Sequence, residues 1–209
     1  MAKRYDYLKK IEEFKDKYED LKGKTITIVG LEGVGIVLAE ALYRNGYNLR
    51  IIDKGRVYIE EMHGQTIYLE EDVTKFKAKQ AKKRLESINS EVKVKAFHEE
   101  LTQDTNYLLD SDLVIDCTNK KEASDVIADY CESQEIPVIY TGLEGSKGFI
   151  IVQQKASMID KVGSFDIESK GLMTSTVFLV AGHVLTLVAK VLSNEEVKEE
   201  YVLDAWNLK

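Results

Sequence analysis

The chain has 209 residues, of which 44% are hydrophobic, enough to build the core of one α/β domain. Its 29 basic and 36 acidic residues give a net charge of −7, which argues against nucleic acid as a partner. No uninterrupted apolar run reaches ~18 residues and the N-terminus lacks an apolar signal core, so we expect no membrane span and a cytoplasmic location. Cys117 and Cys131 form no CxxC pair, and the sequence predicts no zinc site and no disulfide framework.

An amphipathic helix is predicted at the N-terminus, over residues 1–22. Apolar residues recur there at spacings of three and four: Tyr7, Ile11, Phe14, Tyr18 and Leu21. Such a helix would pack on the edge of a sheet or reach a partner subunit.

A strand, a glycine turn, a helix and a second strand are predicted within residues 24–53. The β-branched run Thr25–Val29 has strand length, and apolar residues from Ile36 onward have helical spacing. The glycines between them are Gly30, Gly33 and Gly35. A helix that begins under a glycine turn directs free backbone N–H groups and its dipole at one point, which suits a phosphate.

Asp53 ends the second strand of this unit, where an acid can accept a hydrogen bond from a ribose hydroxyl. The alternatives are that Asp53 caps the strand or pairs with Lys54. A dehydrogenase is disfavoured, because its fingerprint needs glycine at the third position of the turn, and Glu32 stands there.

Strands and helices continue to alternate, which predicts a doubly wound α/β fold with a mostly parallel sheet covered on both faces. Further strands are predicted at 92–97, 113–116, 137–141, 148–153 and 201–203, and helices at 75–88 and 122–134. Residues 154–171 lack a strong period and are predicted as a loop that crosses the sheet. We expect the whole chain, 1–209, to form one domain.

Residues 174–192 are predicted as a helix that is apolar on nearly every side. Its large apolar residues are Val177, Leu179, Val180, Val184, Leu185, Leu187, Val188 and Val191. Because a monomer of this size would struggle to cover all of them, we expect the helix to join two copies into a homodimer. His183, within the helix, is interpreted as a packing residue and not as a ligand.

The order and spacing of several motifs resemble the ThiF/MoeB/HesA family of ubiquitin-activating-like adenylyltransferases. The resemblance runs from about Ala2 to Asp204 and includes the glycine turn, in which Gly33 is the family's diagnostic extra glycine. It also includes the acid after the second strand, the glutamine of MHGQ, the DVxxxKAxxA run and the DCT strand end. Those residues are Asp53, Gln65, Asp72, Val73, Lys77, Ala78, Ala81, Asp116, Cys117 and Thr118.

This resemblance implies a Rossmann-like protein that binds ATP and Mg²⁺ and adenylates the C-terminal glycine of a carrier, releasing pyrophosphate. The implied carrier is a small ubiquitin-like or sulfur-carrier protein that ends in Gly-Gly. The implied nucleotide-binding residues are Gly30, Gly33, Gly35, Asp53, Gln65 and Lys77. Lys77 would act in catalysis by contacting the phosphates, but it is one of five lysines on a basic segment, and a solvated lysine is the alternative.

Three of the family's four charged catalytic positions are substituted in this chain. Asn119 stands at the position of the magnesium-binding aspartate, Gly64 at the arginine of the NxxRQ motif, and Tyr7 at an N-terminal arginine. Glu61 stands at the asparagine of NxxRQ, and Glu32 adds a carboxylate where phosphate would approach. The candidates to replace the missing cations are Arg4, Lys54, Arg56 and His63.

Two functions are therefore compatible with the sequence. One is an ATP-dependent adenylyltransferase with impaired activity. The other is a catalytically degenerate member that binds a nucleotide or a carrier as a partner subunit or scaffold. Cys117 and Cys131 are interpreted as core thiols, and since residues 154–171 contain no cysteine, no thioester step is expected within this chain.

Overall fold

The computed structural model describes residues 3–153 and 170–207. This part of the chain contains seven strands: β1 (Thr25–Val29), β2 (Asn48–Ile52), β3 (Val94–Phe97), β4 (Leu113–Asp116), β5 (Val138–Glu144), β6 (Lys147–Gln153) and β7 (Glu200–Asp204). They form a single sheet in the order β3-β2-β1-β4-β5-β6-β7. The first five strands are mutually parallel, β6 is antiparallel to β5, and β7 is antiparallel to β6. The predicted mostly parallel sheet is confirmed.

Helices cover both faces of this sheet. The α-helices of the described residues are α1 (Tyr18–Leu21), α2 (Val34–Arg44), α3 (Lys77–Ile88), α4 (Lys121–Ser133) and α5 (Thr174–Leu192). Helices α2, α3 and α5 pack on one face over strand residues such as Ile28, Ile51 and Ile115. Helix α4 packs on the other face over Val114 and Tyr140. Each central strand is thus buried on both sides, as its continuous apolar sequence requires.

The position of β1 between β2 and β4 locates the crevice of the fold. The chain moves to one side of β1 to form β2 and β3, and then returns to the other side to form β4. Val29 is in register with Ile52 on one side and with Asp116 on the other. The loops that leave the carboxyl ends of β1 and β4 therefore diverge, and ligands of doubly wound proteins bind at such a point.

The predicted helix over residues 1–22 is wrong for the described residues 3–22. Turns, a short 3₁₀ helix at Leu8–Lys10 and the four-residue α1 form there instead. Tyr7, in the predicted apolar stripe, is 83% exposed, whereas Tyr5 and Tyr18 are buried with their ring centroids 5.4 Å apart. The aromatic contact folds the segment locally, and a helix with so little buried face is not stable by itself.

Helix α5 has the predicted bounds, and it is a core helix of this chain. Six of the eight apolar residues cited for a dimer are buried within the chain itself: Val177, Val180, Val184, Leu187, Val188 and Val191. By length and composition alone α5 could cross a membrane, yet its buried side packs on α2 and on β5 and β6. The homodimer stays a prediction, and the argument from uncovered side chains no longer supports it.

Two other predictions concern the C-terminal third. The ring of His183 packs 4.6 Å from that of Tyr201, and burial lowers the pKa of the histidine, as expected of a packing residue. Strand β7 confirms the predicted edge strand. Residues 154–169 of the predicted crossover loop lie outside the described residues.

Candidate functional site

A cavity of about 530 Å³ opens at the carboxyl ends of β1, β2 and β4, a volume that fits a small-molecule ligand. Val29, Ile52 and Leu101 give it an apolar floor. Its charged lining consists of five carboxylates and two lysines: Glu32, Asp53, Glu99, Glu100, Glu122, Lys54 and Lys120. The cavity is therefore acidic, which is unusual for a site expected to receive a triphosphate.

The glycine turn between β1 and α2 closes tightly on the end of β4. Gly30 has φ +88°, and a Cβ atom on it would lie 2.8 Å from the carbonyl oxygen of Cys117. A Cβ atom on Gly35 would lie 2.0 Å from the carbonyl oxygen of Gly30. Only glycine fits at these two positions. Gly33 is the residue that precedes α2, so the predicted turn at a helix start is present.

Asp53 ties the glycine turn to the loop after β2. Its Oδ2 accepts a hydrogen bond from the Leu31 N–H at 2.7 Å, and its Oδ1 accepts one from the Gly55 N–H at 2.6 Å. Lys54 pairs with Glu100 and not with Asp53. Because a carboxylate has about four acceptor positions, Asp53 holds the two loops and can still accept ribose hydroxyls from the cavity that it lines.

Lys77 is buried in an ionic cluster behind the turn. Its side chain is 0% exposed, and its Nζ contacts Glu32 Oε1 and lies 2.6 Å from Glu61 Oε2. The alternative of a solvated lysine is therefore wrong. Burial by itself lowers the pKa of Lys77, but the neighbouring Glu32 and Glu61 carboxylates outweigh burial and hold the pKa above its usual range. Lys77 is charged and neutralised from within the chain.

Gln65 holds one side of this cluster. Its Nε2 donates to Glu61 Oε2 at 3.1 Å, while its Oε1 has no hydrogen-bond partner among the described residues although the side chain is only 8% exposed. Glu32 is 59% exposed and lines the cavity, whereas Lys77 and Gln65 do not. Glu32 thus lies between Lys77 and the cavity.

Both carboxylates on Lys77 come from positions where the resemblance places uncharged residues. Glu32 replaces a glycine of the turn and Glu61 replaces the asparagine of NxxRQ. Sequence reasoning noted each substitution but missed that both contact the same ammonium group. Two added acids and one retained lysine suggest that the acids neutralise the lysine. Glu61, however, is 29 residues from Glu32 and 16 residues from Lys77 along the chain, so the sequence did not show that the three side chains are in contact.

Asn119, at the predicted magnesium position, lies next to the cavity. Asn119, with φ +55°, follows Thr118 and precedes Lys120, both of which line the cavity. Among the described residues, no group of three or more metal-ligating side chains converges. An amide supplies an oxygen but no charge, so Asn119 would hold magnesium less well than an aspartate at that position.

Three of the four candidate replacement cations are engaged elsewhere. Arg4 donates to the Ile88 carbonyl and pairs with Glu91. The guanidinium of Arg56 donates to the Thr74 carbonyl at 2.6 Å and lies 4.1 Å from the centre of the Phe76 ring. The ring nitrogens of His63 lie 3.1 Å from the carbonyl oxygens of Glu60 and Leu172. Only Lys54 of the four lines the cavity, and Glu100 neutralises it.

A triphosphate with Mg²⁺ does not fit the residues present, while a nucleoside does. The retained lysine is bound by two carboxylates, the metal position carries an amide, and the lining is acidic. The turn, Asp53 and the apolar floor keep the features that hold a ribose and a base.

Asp116 supports the floor of the cavity from below. It is fully buried and accepts hydrogen bonds from the Thr118 N–H at 2.8 Å, the Thr118 hydroxyl at 2.7 Å and the Ser124 hydroxyl at 2.5 Å. Burial raises the pKa of Asp116. Burial also raises the pKa of the Cys117 and Cys131 thiols to about 12, so neither is a nucleophile at neutral pH. Cys131 is buried, as expected of a core thiol, whereas Cys117 is only partly buried and lines the cavity.

The sequence matches the ThiF family over residues 7–208. It is 29% identical over 189 residues to the sulfur carrier protein ThiS adenylyltransferase of Bacillus subtilis, covering 84% of this chain and 56% of that protein. It is 27% identical over 127 residues to the molybdopterin-synthase adenylyltransferase of Haemophilus influenzae, covering 59% of this chain and 52% of that protein. The chain therefore spans about half the length of the curated relatives that it matches.

Solved structures agree on the fold. The crystal structure of E. coli MccB with MccA-N7isoASN superposes with a TM-score of 0.82 at 16% identity, over 100% of this chain and 71% of that chain. The glycine turn lies between β1 and α2, Asp53 directly follows β2, Lys77 is the first residue of α3, and the DCT sequence lies at the end of β4. With the match over nearly its whole length, this chain belongs to the ThiF family.

Proposed function

We propose that this protein is a nucleotide-binding ThiF-family member that does not adenylate a carrier by itself. The observation that carries the proposal is the neutralisation of Lys77 by Glu32 and Glu61. Adenylation builds negative charge on the phosphoryl groups as pyrophosphate leaves, and one charge-stabilising group at such a site contributes ~10²–10³ in rate. Of the two lysines that line the cavity, Lys54 is paired with Glu100, and the exposed Lys120 alone is left to offset the charge of three phosphates.

The partner in this proposal is a small sulfur-carrier or ubiquitin-like protein that ends in Gly-Gly. Its support is that the named relatives are adenylyltransferases of sulfur carriers and of molybdopterin synthase. A chain that binds the nucleotide or the carrier tail without turnover would act as a scaffold or as the partner of an active subunit. A cytoplasmic location and the homodimer are parts of the proposal that need their own measurements, whereas ATP with Mg²⁺, the cofactors implied by the resemblance, is not part of it. Light scattering separates the mass of one chain from that of two.

The test is exchange of radiolabelled pyrophosphate into ATP, in the presence of Mg²⁺ and of sulfur-carrier proteins that end in Gly-Gly. We expect the unmodified chain to give no exchange above the rate without protein. A repaired variant, Tyr7→Arg, Gly64→Arg, Asn119→Asp and Glu32→Gly together, should gain exchange. Losses at such a site are not additive, so single repairs are expected to recover little.

Vigorous exchange by the unmodified chain with any carrier would refute the proposal and establish an active adenylyltransferase. Binding must be measured beside exchange, because a chain that binds no nucleotide also gives no exchange. Calorimetric titration with adenosine, AMP and ATP supplies that measurement. Absence of heat with all three at protein near ~100 μM would refute the nucleotide-binding part of the proposal.

A further inference from the structure

We infer that the cavity selects a nucleoside or a nucleoside monophosphate over a triphosphate, because Glu32 acts as an internal anion that occupies Lys77. The inference rests on the proposed function and names the ligand class of the same cavity. It concerns one contact, between Glu32 Oε1 and Lys77 Nζ, at the border between the cavity and the buried cluster.

The charges of the cluster set the preference. Glu32 and Glu61 carry two negative charges against the single positive charge of Lys77, and the lysine is fully buried behind them. A triphosphate, with about four negative charges, meets a surplus of carboxylate at this end of the cavity, and like charges repel strongly where water is partly excluded. Phosphates beyond the first should therefore weaken binding.

The two carboxylates are not equivalent. Glu61 is 27% exposed and is held by the amide of Gln65, which fixes it against Lys77. Glu32 is 59% exposed and stands on the glycine turn, so it can rotate toward solvent at little cost. A ligand phosphate that reaches Lys77 must first displace Glu32, which makes Glu32 the competing anion and Glu61 a fixed neighbour.

The same cavity keeps what a nucleoside needs. Asp53 lines it with acceptor capacity left over, and Val29, Ile52 and Leu101 provide an apolar surface for a base. Lys120 is an exposed cation of the cavity lining and can serve a single phosphate. These features favour a ligand with one phosphate or none.

The experiment is calorimetric titration of the full chain with adenosine, AMP and ATP, without Mg²⁺ and at low salt. We expect adenosine and AMP to bind about tenfold more tightly than ATP. Glu32→Gln, which keeps the shape and removes the charge, should strengthen ATP binding about tenfold and change adenosine binding less than about twofold. Raising the salt concentration should reduce the difference between the affinities of the unmodified chain for adenosine and for ATP.

Glu60→Gln is the matched control. Glu60 is exposed on the same 3₁₀ helix as Glu61, and its side chain does not line the cavity, so the variant removes the same charge nearby without touching Lys77. It should strengthen ATP binding much less than Glu32→Gln does. Equal effects of the two variants would show a general charge effect and overturn the role of Glu32. Circular dichroism verifies that each variant is folded.

The outcomes separate this inference from the proposed function. If the unmodified chain binds ATP more tightly than adenosine but gives no pyrophosphate exchange, the inference is wrong and the proposed function stands. If adenosine binds more tightly and Glu32→Gln leaves the ATP affinity unchanged, Glu32 is not the competing anion. If none of the three compounds binds to either protein, both the inference and nucleotide binding are refuted.

Discussion

Two fully buried charges, Asp72 and Lys77, lie close to the start of α3, and they differ in where their partners come from. Asp72 accepts hydrogen bonds from the Leu69 N–H at 3.1 Å, from Arg84 at 3.0 Å and from Lys75 at 3.5 Å. All of these partners lie within twelve residues of it along the chain. None of them lines the cavity.

Lys77, five residues later, is satisfied by acids from two distant segments that meet at the cavity. The comparison shows that burial of a charge does not by itself indicate a site. A buried charge whose partners lie close to it along the chain serves to stabilise the fold. A charge satisfied by a half-exposed side chain at a cavity is a place where a ligand can compete.

The largest expected effect is on stability, from Asp72→Asn. The amide cannot receive all the donors that now converge on the carboxylate, and it leaves the buried end of Arg84 poorly paired. We expect the free energy of unfolding at pH 7 to fall by about 3 kcal/mol, measured by urea denaturation. Nucleotide affinity of the folded protein should not change. Glu71→Gln, which alters an exposed partner of the same arginine, is the control and should cost much less.

Lys77→Met tests the other charge. It leaves Glu32 and Glu61 close together without a cation, but both can reach water, so we expect a smaller loss of about 2 kcal/mol. Adding Glu61→Gln to the same chain should recover part of that loss, because the remaining acid no longer has a like charge beside it. Additive losses in the double variant would show that the two residues do not interact.

The stability of the Asp72 cluster should depend on pH in a defined direction. Burial by itself raises the pKa of Asp72, but the Leu69 N–H and the Arg84 guanidinium lower it further than burial raises it. Since the folded carboxyl has the lower pKa, the unfolded chain takes up more protons as pH falls below about 4, and stability is lost there. The stability difference between the unmodified chain and Asp72→Asn should therefore shrink from pH 7 to pH 3, as denaturation midpoints will show.

The smallest effect on stability should come from Glu32→Gln. An ion pair with a half-exposed partner contributes little, and we expect a change below about 1 kcal/mol in the free energy of unfolding. The same variant is expected to change the ATP affinity about tenfold. A loss of several kcal/mol in the free energy of unfolding would instead show that Glu32 stabilises the fold as Asp72 does, and that the two clusters do not differ in role.

Much of the fold could be predicted because its signals are local. The β-branched run before Gly30 and the apolar strand before Asp116 predict buried strands, and the bounds of α5 follow from its own apolar sequence. The glycine turn could also be located, since positive φ and close backbone approach leave no other residue type at Gly30. The prediction of an N-terminal helix was wrong because only the end of its apolar stripe is buried: Tyr18 and Leu21 pack in the core, whereas Tyr7 and Ile11 are exposed.

The sequence by itself determined the family, the order of the strands and helices, and the presence of Lys77, Glu32 and Glu61. Only the tertiary structure showed that these three side chains form one cluster and that α5 buries most of its apolar side chains within its own chain. The physical reason is that periodicity and backbone preference act over a few residues. Charge neutralisation and burial depend on which distant segments the sheet topology brings together.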